Sequence, residues 1–267
     1  MTCTYLSSID TSCRGRPNRG AWGVRREAVE TVQETDGRPV WEVLQAINWL
    51  LYNPAMCKGP GGSGNSTPST CHTPNASEVR SMTWQAIAAG ANGIFYWEFN
   101  DLFRNPDVGF NTSFGYYSDV AHEVERLAPM LLSGNGPAPL PIATGTTAAR
   151  PMAPPLDWLM MRAHYWPPPR RNPVEVVGAG SSRSVSRELA SIFLLAVSDG
   201  SGGGTVTFDY SGELCPARAR ISVEVVMPGG EQQRVTINGA CQFTAVLPSL
   251  DAQAFNVTFE AWGAQDG

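Results

Sequence analysis

The spacing of apolar residues changes character once along the chain. In the first half, stretches with helical periodicity alternate with nearly unbroken apolar runs. Val24, Ala28, Val29 and Val32 recur at helical spacing with charges between them, which predicts a helix over 22–35, stopped by Asp36-Gly37. The largely apolar run 39–48 suits a strand buried on both faces. Asn75-Ala-Ser-Glu78 opens a second helix, 77–89, with Ser77 or Asn75 as its cap, and Gly90-Ala-Asn-Gly93 ends it. The run 94–99 is again a buried-type strand, and a third helix is predicted over 118–132. A short strand-like run, 5–9, precedes all of these. Strand, helix, strand, helix, strand, helix is the order of a parallel βα arrangement.

Segment 133–155 is rich in Pro, Gly, Ala and Thr and marks a boundary. Beyond it the rhythm shortens. The segments 158–164, 191–198, 205–210, 219–227, 233–237, 243–247 and 254–259 read as strands, with turns at Gly202-Gly-Gly204, Pro228-Gly-Gly230 and Asn238-Gly239. That pattern predicts an antiparallel β-sandwich. Two domains are therefore expected, 1–136 and 137–267, with a long polar loop over 53–74 in the first.

Composition narrows the classes. The chain has 267 residues, 42% hydrophobic and 16% charged, so packed cores are expected rather than disorder. A net charge of -5 without a long basic run argues against a nucleic-acid surface. No apolar run reaches the roughly 18 to 20 residues needed to span a bilayer. The six cysteines contain no CxxC pair and histidine is scarce, so no metal site and no cofactor are expected. Neighbouring cysteines invite the pairs Cys57–Cys71 and Cys215–Cys241, among fifteen possible connectivities. N-x-S/T sequons stand at Asn65, Asn75, Asn111 and Asn256. Together these features favour a secreted or cell-surface protein. The first ten residues lack the basic start and apolar stretch of a signal peptide, which suggests a missing N-terminal segment.

Two motifs carry a family resemblance. Arg38-Pro-Val-Trp-Glu-Val-Leu-Gln45 and Glu78-Val-Arg-Ser-Met-Thr-Trp-Gln-Ala-Ile-Ala-Ala-Gly-Ala-Asn-Gly-Ile-Phe-Tyr-Trp97 resemble the last strands of the (β/α)8 barrels of glycoside hydrolases of the β-galactosidase-type clan. The resemblance covers about residues 4–133. It implies an α/β plus all-β protein: an incomplete TIM barrel of the last three βα units, followed by the sandwich. On that alignment strand six ends near Asp10, strand seven spans 40–45 and strand eight spans 94–98. The acid/base carboxyl would follow the absent fourth strand. At the end of strand seven, where the nucleophile belongs, stands Gln45. A two-carboxylate mechanism is thereby in doubt.

Barrel active sites lie at the C-terminal ends of the strands. Glu98 is accordingly the candidate catalytic carboxyl, able to bind hydroxyls or to act as a base. Asp10, Gln45, Tyr96, Trp97 and Asp101 are candidate substrate-binding residues. Strand alternation puts Ile94, Tyr96 and Glu98 on one face and Phe95, Trp97 and Phe99 on the other. Trp41, Trp49, Tyr96 and Trp97 could stack on pyranose rings. Glu42 has opposite parity to Gln45 and is expected to be paired structurally. Three parallel strands cannot close a ring, and leaving about 400 Å2 of apolar inner face uncovered forfeits about 10 kcal/mol. A partner chain or a missing N-terminal segment is therefore expected to complete the barrel. The expected function is that of a fragment of a secreted glycoside hydrolase-like protein acting on O-glycosidic bonds of a carbohydrate, inactive as this isolated chain. The competing expectations are a non-catalytic carbohydrate-binding or surface protein, and a cytosolic structural protein with free thiols.

Overall fold

A computed structural model of the chain describes residues 9–10, 16–17, 23–36, 38–48, 51–52, 72–105, 108–132, 137–147, 150–152, 159–165, 190–198, 203–211, 215, 219–227, 235–239 and 241–261. In chain order the described elements are β1 (Ile9–Asp10), β2 (Arg16–Pro17), α1 (Gly23–Glu34), β3 (Trp41–Gln45), α2 (Ala76–Ala89) and β4 (Gly93–Trp97). A 3-10 helix (Phe99–Arg104) and α3 (Phe110–Leu131) follow. Nine strands complete the order: β5 (Ile142–Thr147), β6 (Arg150–Met152), β7 (Leu159–Tyr165), β8 (Ala190–Ser198), β9 (Gly204–Asp209), β10 (Ala219–Met227), β11 (Thr236–Ile237), β12 (Gln242–Leu247) and β13 (Ala252–Ala261).

This architecture overturns the expected incomplete (β/α)8 barrel. Nine of the thirteen described strands lie in two antiparallel sheets, in the orders β10-β13-β8-β7 and β11-β12-β9-β5-β6. Among the described strands, parallel pairing is confined to β3 and β4. The described end of the expected sixth barrel strand, Ile9–Asp10, pairs antiparallel with β2. A barrel needs each strand to run beside its predecessor in the same direction, and an antiparallel neighbour five residues downstream breaks that rule. With the ring goes the requirement for further strands to close it.

β8 shows how burial shapes the sequence. Residues 192–197 are apolar at every position and all are fully buried. Side chains of a strand alternate between faces. Ile192, Leu194 and Ala196 point into the sandwich, where they meet Phe208, Phe243 and Phe255. Phe193, Leu195 and Val197 point the other way and pack against Val79, Trp84, Ile87, Tyr117 and Val120 of α2 and α3. One strand therefore serves two cores. By contrast β12 alternates: Phe243, Ala245 and Leu247 are buried while Val246 is exposed. The sandwich core is organised around Phe208, Phe243 and Phe255, with ring centroids 4.8 Å, 5.2 Å and 5.8 Å apart. Cys215 and Cys241 form a disulfide with a Cα separation of 5.9 Å, joining positions 26 residues apart. Loop-closure entropy for such a span gives about 3.5 kcal/mol. Cys3, Cys13, Cys57 and Cys71, like Asn65 and Trp49, lie outside the described residues.

Helix α2 is the centre of the layer beside the sandwich. Asn75 and Glu78 form a reciprocal capping box, and Gly90 ends the helix in the left-handed region at φ 112°. Of the nine helical positions from Val79 to Ile87, all but Arg80 are buried, because neighbours surround the helix. Arg80 ties three elements together. Its Nε donates to Glu123 Oε2 of α3 at 2.8 Å, Nη1 pairs with Asp251, and Nη2 donates to the Ala252 carbonyl at 2.9 Å. Ser81 Oγ donates to the Ser198 carbonyl at 3.2 Å, and Arg162 Nη1 to the Ile87 carbonyl at 2.7 Å. Among the described residues no helix is long and apolar enough to cross a membrane.

Candidate functional site

The β3–β4 ribbon has one covered face and one bare face. Parallel pairing sets Trp41 beside Gly93, Val43 beside Phe95 and Gln45 beside Trp97. Leu44 joins Val24, Met82 and Ala86 on the covered side, with Ile94 and Tyr96 packed against them. On the other side Trp41 is 59% exposed, Phe95 56% and Trp97 60%. Trp41 and Phe95 stack with centroids 5.1 Å apart and planes inclined by 28°. Glycine at position 93 permits this arrangement: a Cβ there would lie 2.4 Å from the Trp41 indole. The result is a row of aromatic faces turned to water, which is uncommon on a protein surface.

Polar groups gather at the C-terminal end of the ribbon. Gln45 is buried and its Nε2 donates to the Ile47 carbonyl at 2.7 Å. The Ala46 amide donates to the Trp97 carbonyl at 2.6 Å, which locks the strand ends together. Glu98 is half-buried, stands at the N-cap position of the 3-10 helix and makes no side-chain capping bond. Asp101 is buried and accepts a hydrogen bond from the Tyr52 hydroxyl. Arg104 Nη1 lies 4.0 Å from its Oδ1, and its Oδ2 is buried without a partner. The bond to Asp101 holds the Tyr52 phenol above its ordinary pKa.

The expected site residues thus divide. Gln45, Trp97 and Glu98 come together at one end of the ribbon. Tyr96 faces the helices instead: its hydroxyl lies 2.6 Å from Thr83 Oγ1 and its ring meets Tyr117 edge-on at 4.8 Å. Burial raises the Tyr96 pKa. Asp101 is a buried acceptor for Tyr52. Asp10 lies on β1, opposite Arg16, and its side chain is outside the described residues. Glu42 departs from its expected pairing. It is 1% exposed, neither carboxyl oxygen has a hydrogen-bond partner, and desolvation raises its pKa. A carboxyl in such surroundings favours the neutral, protonated form.

Two contributors were absent from the expected set. Phe95 shares parity with Trp97, so strand alternation alone could have placed it on the open face. Tyr52 could not have been linked to Asp101, because 49 residues separate them and no periodicity connects them. Among the described residues no group of three or more His, Cys, Asp or Glu side chains could hold a metal ion. Comparison with protein-family models, with curated proteins and with solved structures finds no match to this chain.

Proposed function

We propose that this chain is a carbohydrate-binding protein of the secretory pathway, and that the bare face of the β3–β4 ribbon is its binding surface. The observation that carries this reading is the row Trp41, Phe95 and Trp97, each more than half exposed on one face. The C–H face of a pyranose ring is apolar, and an aromatic face is the side chain that covers it best. Glu98, half-buried at the end of the row, supplies a hydrogen-bonding carboxyl for ring hydroxyls, while the buried Gln45 is engaged by the Ile47 carbonyl. The resemblance of 38–45 and 78–97 to glycoside hydrolases supports the same ligand class. The Cys215–Cys241 disulfide supports an oxidising compartment.

The same resemblance favours a second reading, hydrolysis of O-glycosidic bonds, with Glu98 as the carboxyl involved. Retaining hydrolysis needs two carboxyl groups about 5 Å apart across the scissile bond. Gln45 stands at the end of β3, and Asp101 is engaged by Tyr52. Binding without turnover is therefore the better-supported activity.

The test is a glycan array followed by titration with β-linked gluco- and galacto-oligosaccharides, with reducing-end release measured in parallel. Binding is expected without release of new reducing ends. Trp97→Ala should weaken it by roughly 0.5–1.5 kcal/mol, about 2- to 13-fold, the range for one aromatic contact. Absence of binding to every glycan, or binding unaffected by Trp97→Ala, would remove the proposal. Release of reducing ends that stops in Glu98→Gln would establish the second reading.

A further inference from the structure

A second cluster of exposed aromatic rings lies apart in sequence from the β3 strand, on the 3-10 helix and the first turns of α3. Phe99 is 54% exposed, Phe103 62% and Phe114 44%, and Phe110 is half-buried between them. Phe103 and Phe110 stack at 3.9 Å with planes inclined by only 7°. Phe110 stacks on Phe114 at 5.7 Å. Phe99 meets Phe103, Phe110 and Phe114 edge-on, at 5.6 Å, 5.7 Å and 6.0 Å. Phenylalanine has no polar tip, so water offers these rings nothing in return for their exposure.

The sequon Asn111-Thr112-Ser113 begins within this cluster. Asn111 is exposed, follows Phe110 directly, and stands three residues before Phe114 on α3, where side chains are neighbours. We propose that Asn111 carries an N-linked glycan whose first sugars lie on the phenylalanine cluster. The occupant is chosen by position: the attachment atom is set one turn or less from two of the four rings, and sugar C–H faces match them chemically.

The attachment reaction balances with a polyprenyl-diphosphate-linked oligosaccharide as donor. Asn111 Nδ2 forms a bond to C1 of the first sugar, the bond from C1 to the diphosphate oxygen breaks, and Nδ2 releases one proton. Nothing is oxidised or reduced. In the folded chain Ser113 is buried and its Oγ accepts from Asn105 Nδ2 at 2.6 Å. Transfer must therefore precede closure of this turn, on the nascent chain.

Asn256 provides the contrast. Its sequon lies in β13, between β10 and β8, paired with Glu224 and Phe193. Its Oδ1 is buried without a partner. A glycan there would have no room once the sheet forms. The exposed Asn75 caps α2 and has no aromatic cluster within its own sequon.

The proposal rests on the secretory reading, and the test separates the two. The full chain is secreted from a eukaryotic host behind a cleavable leader, then mapped by peptide mass spectrometry before and after amide-cleaving deglycosylation. A glycopeptide at Asn111 is expected, lost in Asn111→Gln, with Asn256 unmodified. The N-acetyl methyl signal of the first sugar should be shifted upfield by ring currents and return to its free position in Phe114→Ala. Modification at Asn75 with Asn111 bare would overturn this proposal alone. No modification at any sequon would overturn it together with the secretory reading. A glycan at Asn111 with unshifted sugar signals, or a cluster buried instead by self-association in sedimentation, would refute the stacking.

Discussion

β8 and the β3–β4 ribbon carry the same sequence signal and meet different fates. β8 is apolar throughout 192–197 and β4 throughout 94–97, so both call for burial on two faces. β8 receives it, with the sandwich on one side and α2 and α3 on the other. The ribbon receives half of it: Leu44, Ile94 and Tyr96 are covered, while Trp41, Phe95 and Trp97 face water. The contrast teaches that an unbroken apolar run reports a demand for contact without saying what supplies it. Where the chain supplies both faces, the run is core. Where it supplies one, the other face is where a ligand has something to gain.

The sharpest way to break this comparison uses one residue type in both places. Phe193→Ala on β8 should cost about 3–5 kcal/mol of unfolding free energy, the range for a fully buried phenylalanine. Phe95→Ala on the open face should cost no more than about 1 kcal/mol, mostly its stacking on Trp41. Urea denaturation monitored by circular dichroism measures both. Equal losses would mean that the ribbon face is covered in solution.

A smaller effect probes the ribbon's covered side. Glu42 has a folded-state pKa above its ordinary value of 4.5, because burial disfavours the charged form. The folded chain then holds this proton more tightly than the unfolded chain does. Below pH 4.5 both states are protonated and the group is neutral to stability. As pH rises from the unfolded to the folded pKa, stability is lost, and the loss levels off above the folded value. Glu42→Gln should therefore be more stable than the parent at pH 8, because the amide is neutral at every pH and escapes the linkage loss that the buried carboxyl carries there. The advantage should vanish in acid. Melting temperatures across pH 4 to 8 decide it, and a constant difference across that range would contradict the desolvation argument.

The legible part of the fold was the part whose residues answer to local physics. β10 lies where its apolar spacing puts it, and α2 is bounded by Asn75, Glu78 and Gly90, whose chemistry marks helix ends. β5 and β6 lie inside segment 133–155, whose richness in Pro, Gly, Ala and Thr marks a boundary rather than strands; the pairing of β5 with β9 supplies what that composition does not signal. α3 begins at Phe110 rather than near Ser118, although Asn111, Thr112, Ser113 and Gly115 are weak helix formers. Tertiary packing of Tyr117 and Val120 carries that first half. The barrel expectation failed for a related reason. A motif of strand, helix and strand is a local unit, and it does not specify what pairs with its edges. Within the site, register brought Gln45 and Trp97 together and alternation placed Phe95. The Tyr52–Asp101 contact came only with the fold.

The central claim is that the aromatic row of the ribbon is open and engages sugar rings. The indole N–H resonances of Trp41, Trp97 and the fully buried Trp84 provide three reporters in one spectrum. During titration with a β-linked oligosaccharide selected on the array, the Trp41 and Trp97 signals should move while Trp84 stays fixed. Movement confined to sandwich residues, or none at saturating sugar, would contradict the account.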